Sequence, residues 1–295
     1  MTAQTSTATV HSAGYLLRRA VRGVLNYGLL SLLGFFFLFP ILFMLVSSLK
    51  TNEGQILRDV TSLKALLPYG SLGLQNYFDV FGRMPFHRFM LNSVFIVGAI
   101  VALGLLVNST AAYALARLNW KGRGVLLGVV IALIIIPFEA VAVPLLLMVN
   151  RFGWVESYHV QIIPFIADAF SIFLFYQFFI GLPKDLEEAA LVDGAGRFRI
   201  YWNIIVPLSR PVFATVAILQ FLTHWNDYMW PLMVTRAETY RPLMIAMQQF
   251  FGQYPRLWGD IMAFASMITV PVLIVFLLFQ KWFVQSVATS GIKGG

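Results

Sequence analysis

Glu139, Asp168, His224, Asn226 and Asp227 lie inside largely apolar stretches of this chain, and their types suit acid–base, ion-binding or hydroxyl-binding chemistry. Glu139 stands between Pro137 and Pro144, and Asp168 interrupts a later apolar run. His224, Asn226 and Asp227 follow at i, i+2 and i+3, beside Trp225 and Tyr228. An ionised carboxylate in hydrocarbon costs roughly 2.5–3.5 kcal/mol on insertion scales, so such groups face a cavity or a partner helix. Carboxylates and amides also bind the hydroxyls of a polar solute, and aromatic rings pack under its apolar faces. Glu139, His224, Trp225, Asn226 and Asp227 are therefore the expected lining of a path for a polar solute. Two of the acids also have a structural reading. Glu139 could bond backbone N–H groups freed by the two prolines, and Asp168 reads mainly as a structural group near an interface.

A second cluster follows Pro183. Asp185, Glu187 and Glu188 precede Ala189 and Ala190, then Asp193, Gly194 and Gly196, then Phe198, Tyr201 and Trp202, with Ile204 and Pro207 at the end. Acids at a helix start meet the positive end of its dipole. Alanines extend the helix and permit close approach by another surface, and the glycines supply a break. Residues 183–207 are thus predicted to be a short helix–turn–helix with an acidic, small-residue tip, suited to a cleft in a partner protein. On composition alone an amphipathic connector resting on the membrane fits as well.

The elements that carry these groups are long and apolar. Of 295 residues, 59% are hydrophobic and 12% charged, against about 25% charged in a typical soluble domain. The apolar residues fall into six blocks, 23–49, 89–116, 125–150, 160–183, 211–235 and 261–280. Each can cross a ~30 Å hydrocarbon layer at ~1.5 Å per residue. The expected fold class is an all-α membrane protein with six transmembrane helices and a cytoplasmic helix–turn–helix between spans four and five. Arg18, Arg19 and Arg22 precede the first block, which is too long for the ~7–15-residue core of a secretory signal. Arg117, Lys121 and Arg123 crowd the hairpin between spans two and three. The positive-inside rule weighs such short loops most heavily and places both termini in the cytoplasm. The expected organisation is a cytoplasmic segment at 1–23, a six-span membrane domain at 24–285 and a cytoplasmic tail at 286–295. The loop from Lys50 to Arg88 is then extracytoplasmic, with a turn of helix around 74–81.

Several functions are excluded. With no Cys there is no disulfide or thiolate metal site, and the four His residues show no metal-ligand spacing. The +8 charge is spread over termini and loops, which reflects topology rather than nucleic acid. The Asp193-Gly194-Ala195-Gly196 stretch is no phosphate loop, since neither a preceding strand nor a following Lys and hydroxyl accompanies it. ATP hydrolysis by this chain is not expected.

The spacing of Glu188-Ala189-Ala190, Asp193-Gly194-Ala195, Ile204 and Pro207 resembles the EAA loop of ABC importer permeases. Ile136-Pro137-Phe138-Glu139 with Pro144-Leu145, the run Phe173 to Phe179, and Trp225-Asn226-Asp227-Tyr228-Met229-Trp230-Pro231-Leu232 resemble the surrounding spans of that family. The ending Gln280-Lys281-Trp282-Phe283-Val284 and Ser290-Gly291-Ile292-Lys293-Gly294 is similar to the carbohydrate-uptake branch, the maltose-type second permease. The likeness runs from about Leu74 to the C-terminus. It implies a multi-pass permease of the bacterial inner membrane that forms half of a translocation pathway for a sugar or sugar derivative. Glu188, Ala189, Ala190 and Gly194 would meet the ATPase, with Asp193, Ile204 and Pro207 shaping the loop. Its implied partners are a second homologous permease, two ATPase subunits that bind ATP and Mg, and an extracytoplasmic solute-binding protein, all in membrane lipid. An ion-coupled secondary transporter, with Glu139 or Asp227 as the ion site, is the rival reading. A membrane enzyme using Glu139, Asp168 and His224 as acid and base is a further one.

Overall fold

The computed structural model describes residues 13–291, with side chains for 21–281. Residues 1–12 and 292–295 of the expected cytoplasmic end segments, Lys293 among them, lie outside the described residues, as do the side chains of Arg18, Arg19 and Trp282-Phe283-Val284. The described part is helical; an isolated bridge between Lys50 and Leu72 is its only extended pairing. In chain order the helices are α1 (Ala13–Leu49), α2 (Glu53–Asp59), α3 (Gln75–Arg83), α4 (Phe86–Arg117), α5 (Arg123–Ile135), α6 (Phe138–Arg151), α7 (Tyr158–Ile162) and α8 (Ala169–Ile180). They continue as α9 (Asp185–Val192), α10 (Arg197–Ile200), α11 (Val206–Leu208), α12 (Arg210–Trp225), α13 (Met229–Val234), α14 (Leu243–Phe251) and α15 (Trp258–Gly291).

Two compact units emerge. The first comprises the described residues up to Tyr77 together with Leu257–Ser266. Its α1 exposes most of its apolar surface between Val21 and Phe39, as a lipid-facing helix does, and tolerates Pro40 within it. After α1 the chain is tied down by polar groups. The buried Lys50 ammonium donates to Asp59 Oδ2 at 2.8 Å and to the Lys64 carbonyl at 3.1 Å, and the Tyr69 hydroxyl donates to Asp59 Oδ1 at 2.5 Å. Asn76 Nδ2 bonds the carbonyls of Ser48 and Lys50, and the Glu53 carboxylate accepts from the Trp258 and Gly259 amides.

The second unit comprises Phe78–Arg256 and the residues from Met267 onward. Its centre is α4, which packs against α8 and α12. Among the described residues four helices are long and apolar enough to cross a membrane, counting 158–180 as one, and the number rises to six if each of two bent pairs is one span. The expected third span is one of these pairs. Helices α5 and α6 meet at 103° at Pro137, whose ring disfavours helical backbone at Ile136 and removes a donor. Ile136 is accordingly extended, at ψ 115°. The expected fifth span, 211–235, is shorter than predicted. Helix α12 ends at Trp225, where Asn226 Nδ2 turns back to the Leu222 carbonyl at 2.8 Å, and α13 starts afresh at Met229.

Candidate functional site

The acidic loop after Pro183 folds as the predicted pair of short helices. Helix α9 ends in a Schellman turn: the Gly194 amide donates to the Leu191 carbonyl and the Ala195 amide to that of Ala190. Gly194 sits at φ +79°, where L side chains are strained, although a Cβ there would touch nothing. Conformation, not space, therefore demands glycine at this position. Gly196 has φ −73° and open surroundings, so no such demand applies to it. Beyond α10 the chain makes a π turn at Tyr201–Ile205 before Pro207, which has no N–H to continue the helical ladder.

The loop is anchored by its inner face. Ile200, Tyr201 and Ile205 are buried against Ala112, Tyr113, Phe175 and Phe179, with Ala190 and Ile204 partly covered by the same core. The Tyr201 and Ser109 hydroxyls share a hydrogen bond of 2.7 Å. Glu187, the middle acid of the cluster, is buried and pairs with Arg117 at the end of α4. Arg117 also donates to the carbonyls of Phe179, Leu182 and Pro183. Glu188, Ala189, Asp193 and Pro207 face outward. Exposed apolar side chains Val192, Phe198 and Trp202 accompany them.

The polar groups of the apolar helices converge on a cleft of about 500 Å³. Asp168, Ser171, Gln220, Thr223, His224 and Asp227 line it, together with the rings of Phe138, Phe165 and Phe170. Asp168 caps α8: its Oδ1 accepts from the Ser171 amide at 2.7 Å and the Ser171 hydroxyl at 2.5 Å. The Asp227 carboxylate accepts from the Trp230 amide at 3.4 Å, at the start of α13. The His224 ring leans on Phe165, with centroids 5.2 Å apart. Gln220 is buried over Gly104 and donates to Ser171 Oγ at 3.3 Å, while its Oε1 has no partner among the described residues.

Of the residues expected on a path, His224 and Asp227 reach this cleft. Glu139 is exposed in the first turn of α6 and does not line it, although its neighbour Phe138 does. Trp225 is buried, stacked on Phe221 away from the cleft, and Asn226 closes α12. Gln220 and Ser171 escaped the sequence reading. A Gln one helical turn before His224 was the available signal for the first. Among the described residues no group of three or more His, Cys, Asp or Glu could hold a metal ion.

Residues 100–289 match the family described as "Binding-protein-dependent transport system inner membrane component". The chain belongs to this family. It is thus a multi-pass ABC permease of the inner membrane. The permease is 32% identical over 263 residues to the arabinooligosaccharides transport system permease protein AraQ of Halalkalibacterium halodurans, covering 89% of this chain and 93% of that one. It is 30% identical to the lactose transport system permease protein LacG of Rhizobium radiobacter, covering 93% of this chain and 98% of that one. Its fold is similar to that in the crystal structure of a bacterial ABC transporter involved in the import of the acidic polysaccharide alginate. That match has a TM-score of 0.79 at 24% identity, over 94% of this chain and 100% of that one.

Proposed function

We propose that this permease lines half of the translocation pathway of an ATP-driven sugar importer and is driven through the α9–α10 loop by a separate ATPase subunit. The observation that carries the reading is the arrangement of that loop: its inner face is locked to α4 and α8, and Glu188 and Ala189 are presented outward at its tip. A partner that grips the exposed tip would move the helices behind it. Such a movement is a switch between two packings that the nucleotide state of the ATPase biases. The exposed Val192, Phe198 and Trp202 add apolar surface for the same contact. ATP and Mg belong to the ATPase pair. A second permease and an extracytoplasmic binding protein complete the assembly, and both termini of this chain lie in the cytoplasm. The named sugars of its relatives AraQ and LacG support a sugar as cargo, as does a cleft that pairs carboxylates, an amide and a hydroxyl with aromatic rings.

Co-purification tests the coupling site. Tagged wild-type permease brings down its ATPase from detergent extracts, and Glu188→Lys loses it while the permease is still inserted in the membrane. An undiminished yield of ATPase with the variant refutes the assignment.

A further inference from the structure

The charge of the cleft narrows its cargo. Its titratable lining is Asp168, His224 and Asp227, and among the described residues no Lys or Arg reaches it. Both carboxylates keep acceptor capacity after their capping bonds, since Asp168 and Asp227 each direct Oδ1 to the local backbone. Buried Gln220, only 4% exposed, lines the same wall with an orphaned Oε1. The wall is therefore rich in acceptors, and acceptors are what hydroxyl and ammonium groups satisfy. Phe138, Phe165 and Phe170 supply apolar faces. The size falls within the range of about 300–1,000 Å³ common to small-molecule sites.

A carboxylate, sulfonate or phosphate on the cargo would meet two like charges here with no Lys or Arg among the described residues to offset them, in surroundings that screen poorly. Neither kinship nor fold decides this point. AraQ and LacG are named for neutral sugars, and the alginate transporter of similar fold is described with an acidic polysaccharide. We propose that this permease passes a neutral or amine-bearing sugar and rejects anionic ones, with Asp227, Asp168 and Gln220 as the groups that read the cargo. The proposal rests on the importer reading above.

Uptake in the intact bacterium tests it, comparing strains with and without this gene on radiolabelled neutral oligosaccharides, amino sugars, uronates and sugar phosphates. The expected result is that deletion abolishes uptake within the neutral or amino-sugar class only. Asp227→Asn then lowers that uptake by about tenfold, the loss that follows from weakening one charged hydrogen bond, with the ATPase still co-purifying. Gene-dependent uptake of a uronate or sugar phosphate overturns the charge assignment and leaves the importer reading standing. No gene-dependent uptake of any sugar overturns both. Unchanged uptake with Asp227→Asn and with Gln220→Leu removes the cleft from the pathway.

Discussion

Arg117 and Glu187, seventy positions apart, form a buried ion pair that joins the end of α4 to the first turn of α9. Arg117 is more than a charge partner. Its remaining donors close the carbonyls of Phe179, Leu182 and Pro183, so one guanidinium gathers the ends of α4 and α8 and the start of the outward-facing loop. The planar fork suits this task in a way that a lysine ammonium does not.

Breaking this pair from one side leaves a buried charge without compensation, which costs about 3–5 kcal/mol. Arg117→Ala and Glu187→Ala should each lower the thermal stability of the purified permease sharply, read as the midpoint of unfolding in detergent. Arg197 is the control. It lies 3.9 Å from Glu187 with a half-exposed side chain, and exposed pairs contribute about 0–1 kcal/mol, so Arg197→Ala should leave the midpoint almost unchanged. Equal losses in Arg117→Ala and Arg197→Ala would contradict this assignment.

The two glycines of the loop should respond differently. At φ +79° a side chain on residue 194 is strained by about 1 kcal/mol or more. Gly194→Ala should loosen the end of α9, seen as faster amide exchange over 185–195. Gly196→Ala, with an ordinary φ and open space, should leave exchange unaltered.

Asp168 has two separable tasks. Asn is as good an N-cap as Asp, whereas Ala loses about 1 kcal/mol of helix stability. Asp168→Asn should therefore keep the unfolding midpoint while altering uptake through the cleft, and Asp168→Ala should lower both. A midpoint that falls equally in the two variants would show that the charge, not the cap, holds α8.

The Lys50 ammonium hydrogen-bonded to Asp59, aided by the Tyr69 hydroxyl, holds that carboxyl below its ordinary value of 3.8. Because the folded value is the lower one, the stabilisation is complete above pH 3.8 and is lost as pH falls through the depressed folded value. Amide protection over 50–72 should persist to below pH 3.8 and then collapse. Asp59→Asn should bring that loss to all pH values by leaving the buried Lys50 without its anion. Protection lost already between pH 5 and 4 would mean that the pair does not hold this segment.

Much of this protein is written locally. Blocks of apolar residues announce the membrane because a span must satisfy its own backbone and meet lipid on its surface. The helix–turn–helix at 183–207 is legible from its proline, acids, alanines and glycines, since caps, dipoles and φ preferences act within a few residues. Pro137 and Pro144 mark residues 125–150 as a span with freed backbone groups, but the 103° bend between α5 and α6 depends on what those helices pack against. Tertiary structure alone decided which acid turns inward. Glu187 and Glu188 are adjacent and chemically alike, and only the position of Arg117 buries one and leaves the other outside. It also decided that Asp168, Gln220, His224 and Asp227 share one cleft while Glu139 and Asn226 do not. A sequence records which polar groups must find partners in an apolar span; where those partners stand is settled only when the helices pack.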